Sequence, residues 1–207
     1  MFQSIPTITY FALPKKHAGR AEPIRLCLED AGIKYNFEEI TLDWTTWPKH
    51  KSEIMSNGFR CGTLPIMELE GRKYSQTNAI LMYLCSRLGK YLGDDIEEQY
   101  KVNQAADLCA DWYTARIIAF VSGKDTYIRH IETKGRHFLA VAEALLSEST
   151  GPYLLGDKIT FADFLLFQNA RDEYTAPKLV DYPHILALGK ALVQRPNIQK
   201  YRPDLLD

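Results

Sequence analysis

Tyr10 stands near the end of Ile8-Thr9-Tyr10-Phe11, a short run that reads as a strand. Side chains at the end of a strand commonly reach a site beyond the sheet edge, and a neutral phenol there can donate a hydrogen bond to a thiolate. A free thiol has a pKa of about 8.5 and is only a few per cent ionised at neutral pH, so an enzyme that uses it as a nucleophile must stabilise the anion. Lowering that pKa by about two units requires about 2.7 kcal/mol of differential stabilisation. A hydrogen bond to a charged group, at about 1.5–3 kcal/mol, has the required size. The competing reading is plain packing, the ordinary role of one tyrosine among 12.

Other residues in the same stretch of chain have the chemistry of anion binding. Lys15, Lys16 and His17 follow the first strand, Arg20 opens the first helix, and Lys49 and Lys51 follow Trp47; they can cradle a small anion or simply be solvated surface charge. Ser75-Gln76-Thr77-Asn78 precedes an apolar run. A helix starting there offers free N–H groups and the positive end of a dipole to a carboxylate, although Ser, Thr and Asn are equally ordinary N-caps. Leu64-Pro65 heads a strand-like segment, where proline removes a ladder donor; a cis peptide would leave the Leu64 backbone to pair with a peptide-like ligand. The four cysteines, Cys27, Cys61, Cys85 and Cys109, stand singly, with neither a C-x-x-C pair nor zinc-ligand spacing, so reduced thiols are expected. Cys61 lies beside Gly62 in an expected loop.

Two differently patterned halves must position these residues. In the first, strand signals at 8–11, 35–42, 64–69 and 72–74 alternate with helical patterns at 21–31, stopped by Gly32, and at 77–88. Glu70-Gly71 suits a tight hairpin turn. This order argues for a small mixed sheet with helices on its faces. Residues 89–95, rich in glycine and polar side chains, read as a linker. Beyond it strand signals nearly vanish, and helices are expected at 96–121, 125–147, 160–171 and 184–194. Thr160 and Asp163 have capping-box spacing, with Ile159 and Phe164 at staple positions.

Composition narrows the function classes. With 207 residues, the chain makes one large domain or two small ones. Its 25 Lys+Arg against 26 Asp+Glu leave a formal net charge of −1, which excludes a nucleic-acid binder relying on a global basic field. No apolar run approaches the roughly 18–20 residues that span a bilayer. The N-terminus lacks a basic lead and a long apolar core, so no membrane partner and a cytoplasmic location are expected.

Taken together, the residues resemble a cytosolic glutathione transferase of the tyrosine type, nearest to the pi and sigma classes. The resemblance runs from Tyr10-Phe11 through Gly19-Arg20-Ala21-Glu22-Pro23-Ile24-Arg25, Leu64-Pro65 and Gln76-Thr77-Asn78-Ala79-Ile80-Leu81 to Gly156-Asp157-Lys158-Ile159-Thr160-Phe161-Ala162-Asp163. It implies a thioredoxin-like α/β glutathione-binding domain over 1–88 and an all-α domain over 96–207 that contributes the electrophile pocket. By the same resemblance Tyr10 stabilises the thiolate and Arg20 acts on the glutathione site electrostatically. Trp47 and Lys51 hold the glycyl carboxylate. Leu64, before Pro65, pairs with the cysteinyl unit; Gln76 and Thr77 bind the γ-glutamyl end; and Asp111 reaches the neighbouring subunit's glutathione in a homodimer. Thr63 falls at the glutathione site in place of the usual Gln or Asn. The electrophile pocket draws on Phe11, Leu13, Tyr113, Ile117 and Val121, the last three recurring at one-face helical spacing, which core packing explains equally well. Phe59 is a candidate aromatic key between subunits, and the segment 12–18 is longer than the pi pattern.

This agrees with the ligand that the residues suggest by themselves, since glutathione carries a carboxylate at each end and a thiol between. The implied function is conjugation of the glutathione thiolate, as co-substrate and without a metal, to mostly apolar electrophiles, hence detoxification. The alternatives are a glutathione-dependent isomerase of the prostaglandin D synthase kind and a non-catalytic protein on the same scaffold. A thioredoxin-like oxidoreductase fits poorly, because no cysteine follows the first strand and Cys27 falls inside a helix.

Overall fold

The computed structural model describes residues 2–13, 19–173 and 176–204. The chain divides into two compact units, Met1–Gly89 and Lys90–Asp207.

The first unit is built on a four-stranded mixed sheet of order β2-β1-β3-β4. Strand β1 (Thr7–Phe11) pairs in parallel with β2 (Asn36–Ile40) and antiparallel with β3 (Ile66–Leu69), which in turn pairs antiparallel with β4 (Arg72–Ser75). Along β1 the side chains alternate, Ile8 and Tyr10 buried between half-exposed neighbours, as the two-residue period of a strand requires. The β3–β4 turn has Glu70 at φ 52° and Gly71 at φ 72°; two central residues with positive φ give the turn whose twist matches a hairpin. A parallel pair needs a crossover, and α1 (Glu22–Asp30), with proline in its first turn, supplies it between β1 and β2. Helix α3 (Thr77–Leu88) ends at Gly89 in the left-handed region, φ 64°. Leu26, Cys27 and Leu28 of α1 and Leu81, Leu84 and Cys85 of α3 are fully buried, and the two helices meet with the Cys27 and Cys85 sulfurs 3.7 Å apart. Each such aliphatic side chain contributes about 1.5–3 kcal/mol on burial.

The sequence pattern left α2 (Trp47–Ser56) unmarked. It begins Trp47-Pro48 and buries only Ile54 among its ten residues, so it lacks the apolar stripe that announces a helix. Proline in the first turn was the available signal.

In the second unit α4 (Ile96–Val121) starts at Asp95, whose side chain accepts the Glu98 N–H. It buries Val102, Ala105, Ala106, Cys109, Trp112, Arg116 and Ala119, an apolar stripe broken by one arginine. It packs on α7 (Phe161–Glu173), in which residues 161–170 are all buried. A helix buried on every side is the centre of its unit. The single helix expected over 125–147 is instead α5 (Lys124–His130), a π turn over Ile131–Gly135, and α6 (Arg136–Ser147). The register widens where Glu173 of α7 lies against Gly135: a Cβ on that glycine would sit 2.6 Å from Glu173 Oε1. Helices α8 (Pro183–Val193) and α9 (Pro196–Tyr201) complete the unit, the latter missed for want of length.

Residues 90–95 are held against this second unit. The Tyr91 carbonyl accepts the Phe161 N–H at 2.9 Å, and Lys158 Nζ reaches Asp94 at 2.8 Å and Glu98 at 2.6 Å. At the start of α7 the Asp163 carboxylate accepts the Thr160 N–H (2.6 Å), the Thr160 hydroxyl (2.8 Å) and the Leu154 N–H (2.8 Å). Only one arm is that of a capping box. The threonine hydroxyl donates to the carboxylate, and the Asp163 N–H goes to the Thr160 carbonyl at 3.2 Å.

Candidate active site

Tyr10 is only 4% exposed, and its Oη accepts the backbone N–H of Arg20 at 3.0 Å. A phenol that accepts from an N–H keeps its own O–H as a donor. Gly19 makes this approach possible. Its φ is +66°, and a Cβ there would lie 2.8 Å from Tyr10 Oη and from Leu13 Cδ1, so any other residue would push the tyrosine or the leucine away.

Beside Tyr10 a cavity of about 320 Å³ is lined by Phe11, Arg20, Trp44, Trp47, Thr63, Leu64, Pro65, Gln76 and Thr77. All belong to the first unit. Phe11, the last residue of β1, meets Trp47 edge-on with ring centroids 4.9 Å apart. Trp47 is placed by the turn before α2, where its N–H donates to the Asp43 carbonyl at 2.9 Å. The Asp43 carboxylate accepts the Thr45 N–H (2.8 Å) and hydroxyl (2.7 Å), and these bonds hold it below the ordinary carboxylate range. The Leu64-Pro65 peptide is cis.

Gln76 lies at φ +74°, uncommon for a residue with a side chain. As the N-cap residue of α3 it makes no side-chain cap bond, and the Thr77 hydroxyl turns away from the helix to donate to the Arg20 carbonyl at 3.2 Å. Plain capping therefore does not account for Gln76 and Thr77. Because both line the cavity, the first turn of α3 opens onto it, and the helix dipole adds to the charge of Arg20. Arg20 is the one charged side chain among the described lining residues, so the cavity suits an anionic ligand.

The other basic residues are distributed differently. Lys51, one turn beyond Trp47, lines a separate open hollow of about 500 Å³ with Pro48, Ser52, Met55 and Ser56. Its stem lies against Gly62, where a Cβ would come within 3.2 Å of Lys51 Cε. Lys49 is a solvated surface charge 3.8 Å from Glu53. Lys15, Lys16 and His17, with the rest of 14–18, lie outside the described residues. On α4, in the second unit, Asp111 and Val121 are exposed while Tyr113 and Ile117 are half-buried. The Arg116 guanidinium lies 4.9 Å over the Tyr113 ring and is paired with Asp172 at 2.8 Å.

One expectation changes, and one lining residue is new. Phe59 is 4% exposed, taken up in its own unit beneath Lys73 at 5.3 Å, so it does not project as a key toward another subunit. Trp44, unmarked by the sequence pattern, lines the cavity; the signal was the Asp-Trp-Thr order, since Asp side chains favour such turns. Among the cysteines, the hydrogen bond with Cys85 and burial push the Cys27 thiol up, and burial does the same to Cys109, so neither is a ready nucleophile.

Comparison with known proteins agrees with this fold. Residues 110–204 match the family model described as glutathione S-transferase, C-terminal domain. Glutathione S-transferase P 1 of Xenopus laevis is 31% identical over 204 residues, which cover 94% of this chain and 90% of that protein. The structure of the pi-class glutathione S-transferase of Onchocerca volvulus superposes with a TM-score of 0.77 at 26% identity, covering 97% of this chain and 93% of that one. A glutathione S-transferase of Necator americanus described as monomeric gives 0.71 at 25% identity over 97% of both chains. A mixed four-stranded α/β unit followed by a helical unit is thus the plan of a known class of enzymes. The chain belongs to the glutathione S-transferase family.

Proposed function

We propose that the cavity of the first unit binds glutathione as co-substrate and that the Tyr10 hydroxyl stabilises its thiolate, which attacks a mostly apolar electrophile. The observation that carries this reading is that Arg20, Leu64, Gln76 and Thr77 line one cavity of a single unit, with the Tyr10 oxygen held 3.0 Å from the N–H of Arg20. Glutathione carries a carboxylate at each end. Arg20 and the first turn of α3 suit an anionic terminus, and Thr63 and the Leu64 backbone suit the peptide between the ends. In the reaction the thiol releases its proton to solvent, Tyr10 donates a hydrogen bond to the resulting anion, and the sulfur forms the new bond as the electrophile's leaving group departs, or as its double bond takes up the electron pair and then a proton from solvent. Stabilising the anion without becoming charged itself is what lets a buried phenol do this.

Trp47 and Lys51 are assigned to the glycyl end, with Lys51 having to leave the Gly62 side of α2. Phe11 and Leu13 of the first unit, and Tyr113, Ile117 and Val121 of α4, are the residues assigned to the electrophile. The domain roles follow: glutathione on 1–88, electrophile selection from 96–207. A cytoplasmic detoxifying enzyme is the setting this implies. We further assign a homodimer, in which Asp111, exposed on α4, reaches the partner's glutathione. Sedimentation at micromolar concentration tests this; a monomer, as the Necator americanus relative is described, removes the role of Asp111.

The test of the chemistry is Tyr10→Phe, which deletes one hydroxyl. Conjugation kcat is expected to fall about ten- to a hundredfold, the worth of one hydrogen bond to a charged group. KM for glutathione should change less than about twofold, because the binding contacts remain. Unchanged conjugation kinetics would remove Tyr10 from the mechanism.

A further inference from the structure

Trp44 is 65% exposed, yet it lines the same cavity as Phe11 and Trp47. An indole left that open keeps an apolar face in water, and covering it is favourable. The residues around the cavity divide into two sets. Arg20, Thr63, Gln76, Thr77 and the Leu64 backbone, with Trp47 at the glycyl end, serve the charged peptide; Phe11 and Trp44 supply further aromatic rings. The first set is enough for a charged peptide. The second matches a flat apolar group.

Trp44 is also held ready. The Asp43 carboxylate fixes Thr45 by two hydrogen bonds, and the Trp47 N–H donates to the Asp43 carbonyl. The backbone turn that carries the indole is therefore tied on both sides, so less backbone freedom is lost when the ring is covered. Resting on the reading of this cavity as the glutathione site, we propose that Trp44 is a specificity-determining residue that stacks on the ring of a planar aromatic electrophile and selects it over small aliphatic ones.

The test compares two electrophiles in wild type, Trp44→Ala and Trp44→Phe. With 1-chloro-2,4-dinitrobenzene the thiolate sulfur bonds to the ring carbon bearing chlorine and chloride leaves; with iodomethane it bonds to the methyl carbon and iodide leaves. In Trp44→Ala the ratio of kcat/KM for the aryl chloride to that for iodomethane is expected to fall five- to tenfold, through KM for the aryl chloride. Trp44→Phe, which keeps an aromatic face, should recover most of the ratio. An unchanged ratio would make Trp44 a solvent-facing residue and overturn the inference. A rise in KM for glutathione that slows both electrophiles equally would place Trp44 on the peptide and overturn it too. Neither result touches Tyr10, whose own substitution tests the underlying reading. Wild-type protein that conjugates neither electrophile would overturn that reading and this inference with it.

Discussion

Gly19 and Tyr10 are a pair in which the smaller residue sets the position of the larger. With φ at +66° and the Tyr10 oxygen 2.8 Å from where a Cβ would stand, Gly19→Ala must both strain the backbone and displace the phenol. We expect it to lower unfolding free energy by about 1–3 kcal/mol and to lower conjugation kcat/KM, read by urea unfolding and initial rates on one preparation. Full activity in Gly19→Ala would mean that the position of the phenol does not matter. At this scale the sequence was informative wherever a residue type is rare for physical reasons: Tyr10 beside the Gly19-Arg20 pair, and a proline heading a strand. It was uninformative where packing decides. Nothing in the types of Phe59 or Lys51 says that one is buried beneath Lys73 and the other laid against Gly62, because both outcomes depend on partners distant in sequence. Trp44 carries little signal of its own, because an isolated tryptophan in a loop has no periodicity.

Among the elements, α3 and α4 were legible to their ends, since each has its own stop or start: Gly89 in the left-handed region closes α3, and Asp95 caps α4. The interruption between α5 and α6 was not legible, because it answers to Glu173 on a different helix. That carboxylate accepts the Trp112 indole N–H at 2.9 Å and lies 3.2 Å from His130 Nε2, so it cannot retreat freely from Gly135. Gly135→Ala is therefore expected to destabilise the protein by about 1–3 kcal/mol as overpacking, despite alanine's better helix propensity. A gain in thermal stability for this variant would show that the π turn has another origin. A second helix depends on a cap from elsewhere: Glu143 of α6 accepts the backbone N–H groups of His184 (2.9 Å) and Ile185 (3.0 Å) at the start of α8. Removing it in Glu143→Ala should cost about 1–2 kcal/mol in urea unfolding, and no loss would mean that water replaces the cap without penalty.

For the molecule as a whole, the division into an α/β unit and a helical unit could be read from the change in hydrophobic period. The centrality of α7 could not, since a helix buried all round has no stripe to detect. Its stability is tied to pH through Asp163. Burial pushes that carboxyl up to about 6, against the hydrogen bonds from Leu154, Thr160 and its own backbone that pull it down. The folded state therefore holds the proton more firmly than the unfolded chain, whose carboxyl titrates near 3.8. The resulting contribution to stability is fully present below about pH 3.8 and is lost as pH rises through about 6, a change of about 3 kcal/mol. Asp163→Asn removes the titration along with some of the hydrogen bonding. Its deficit against wild type in urea unfolding should be largest near pH 4 and shrink towards pH 7; a deficit independent of pH would contradict the assignment.

The account centres on an activated thiolate. Its most direct measurement is the ultraviolet thiolate absorbance of the glutathione complex as a function of pH, in wild type and in Tyr10→Phe. The account predicts a bound thiol whose pKa lies about two units below that of a free thiol, and a return towards the free value when the Tyr10 hydroxyl is removed. A complex that forms but titrates at the free value in both proteins would contradict it.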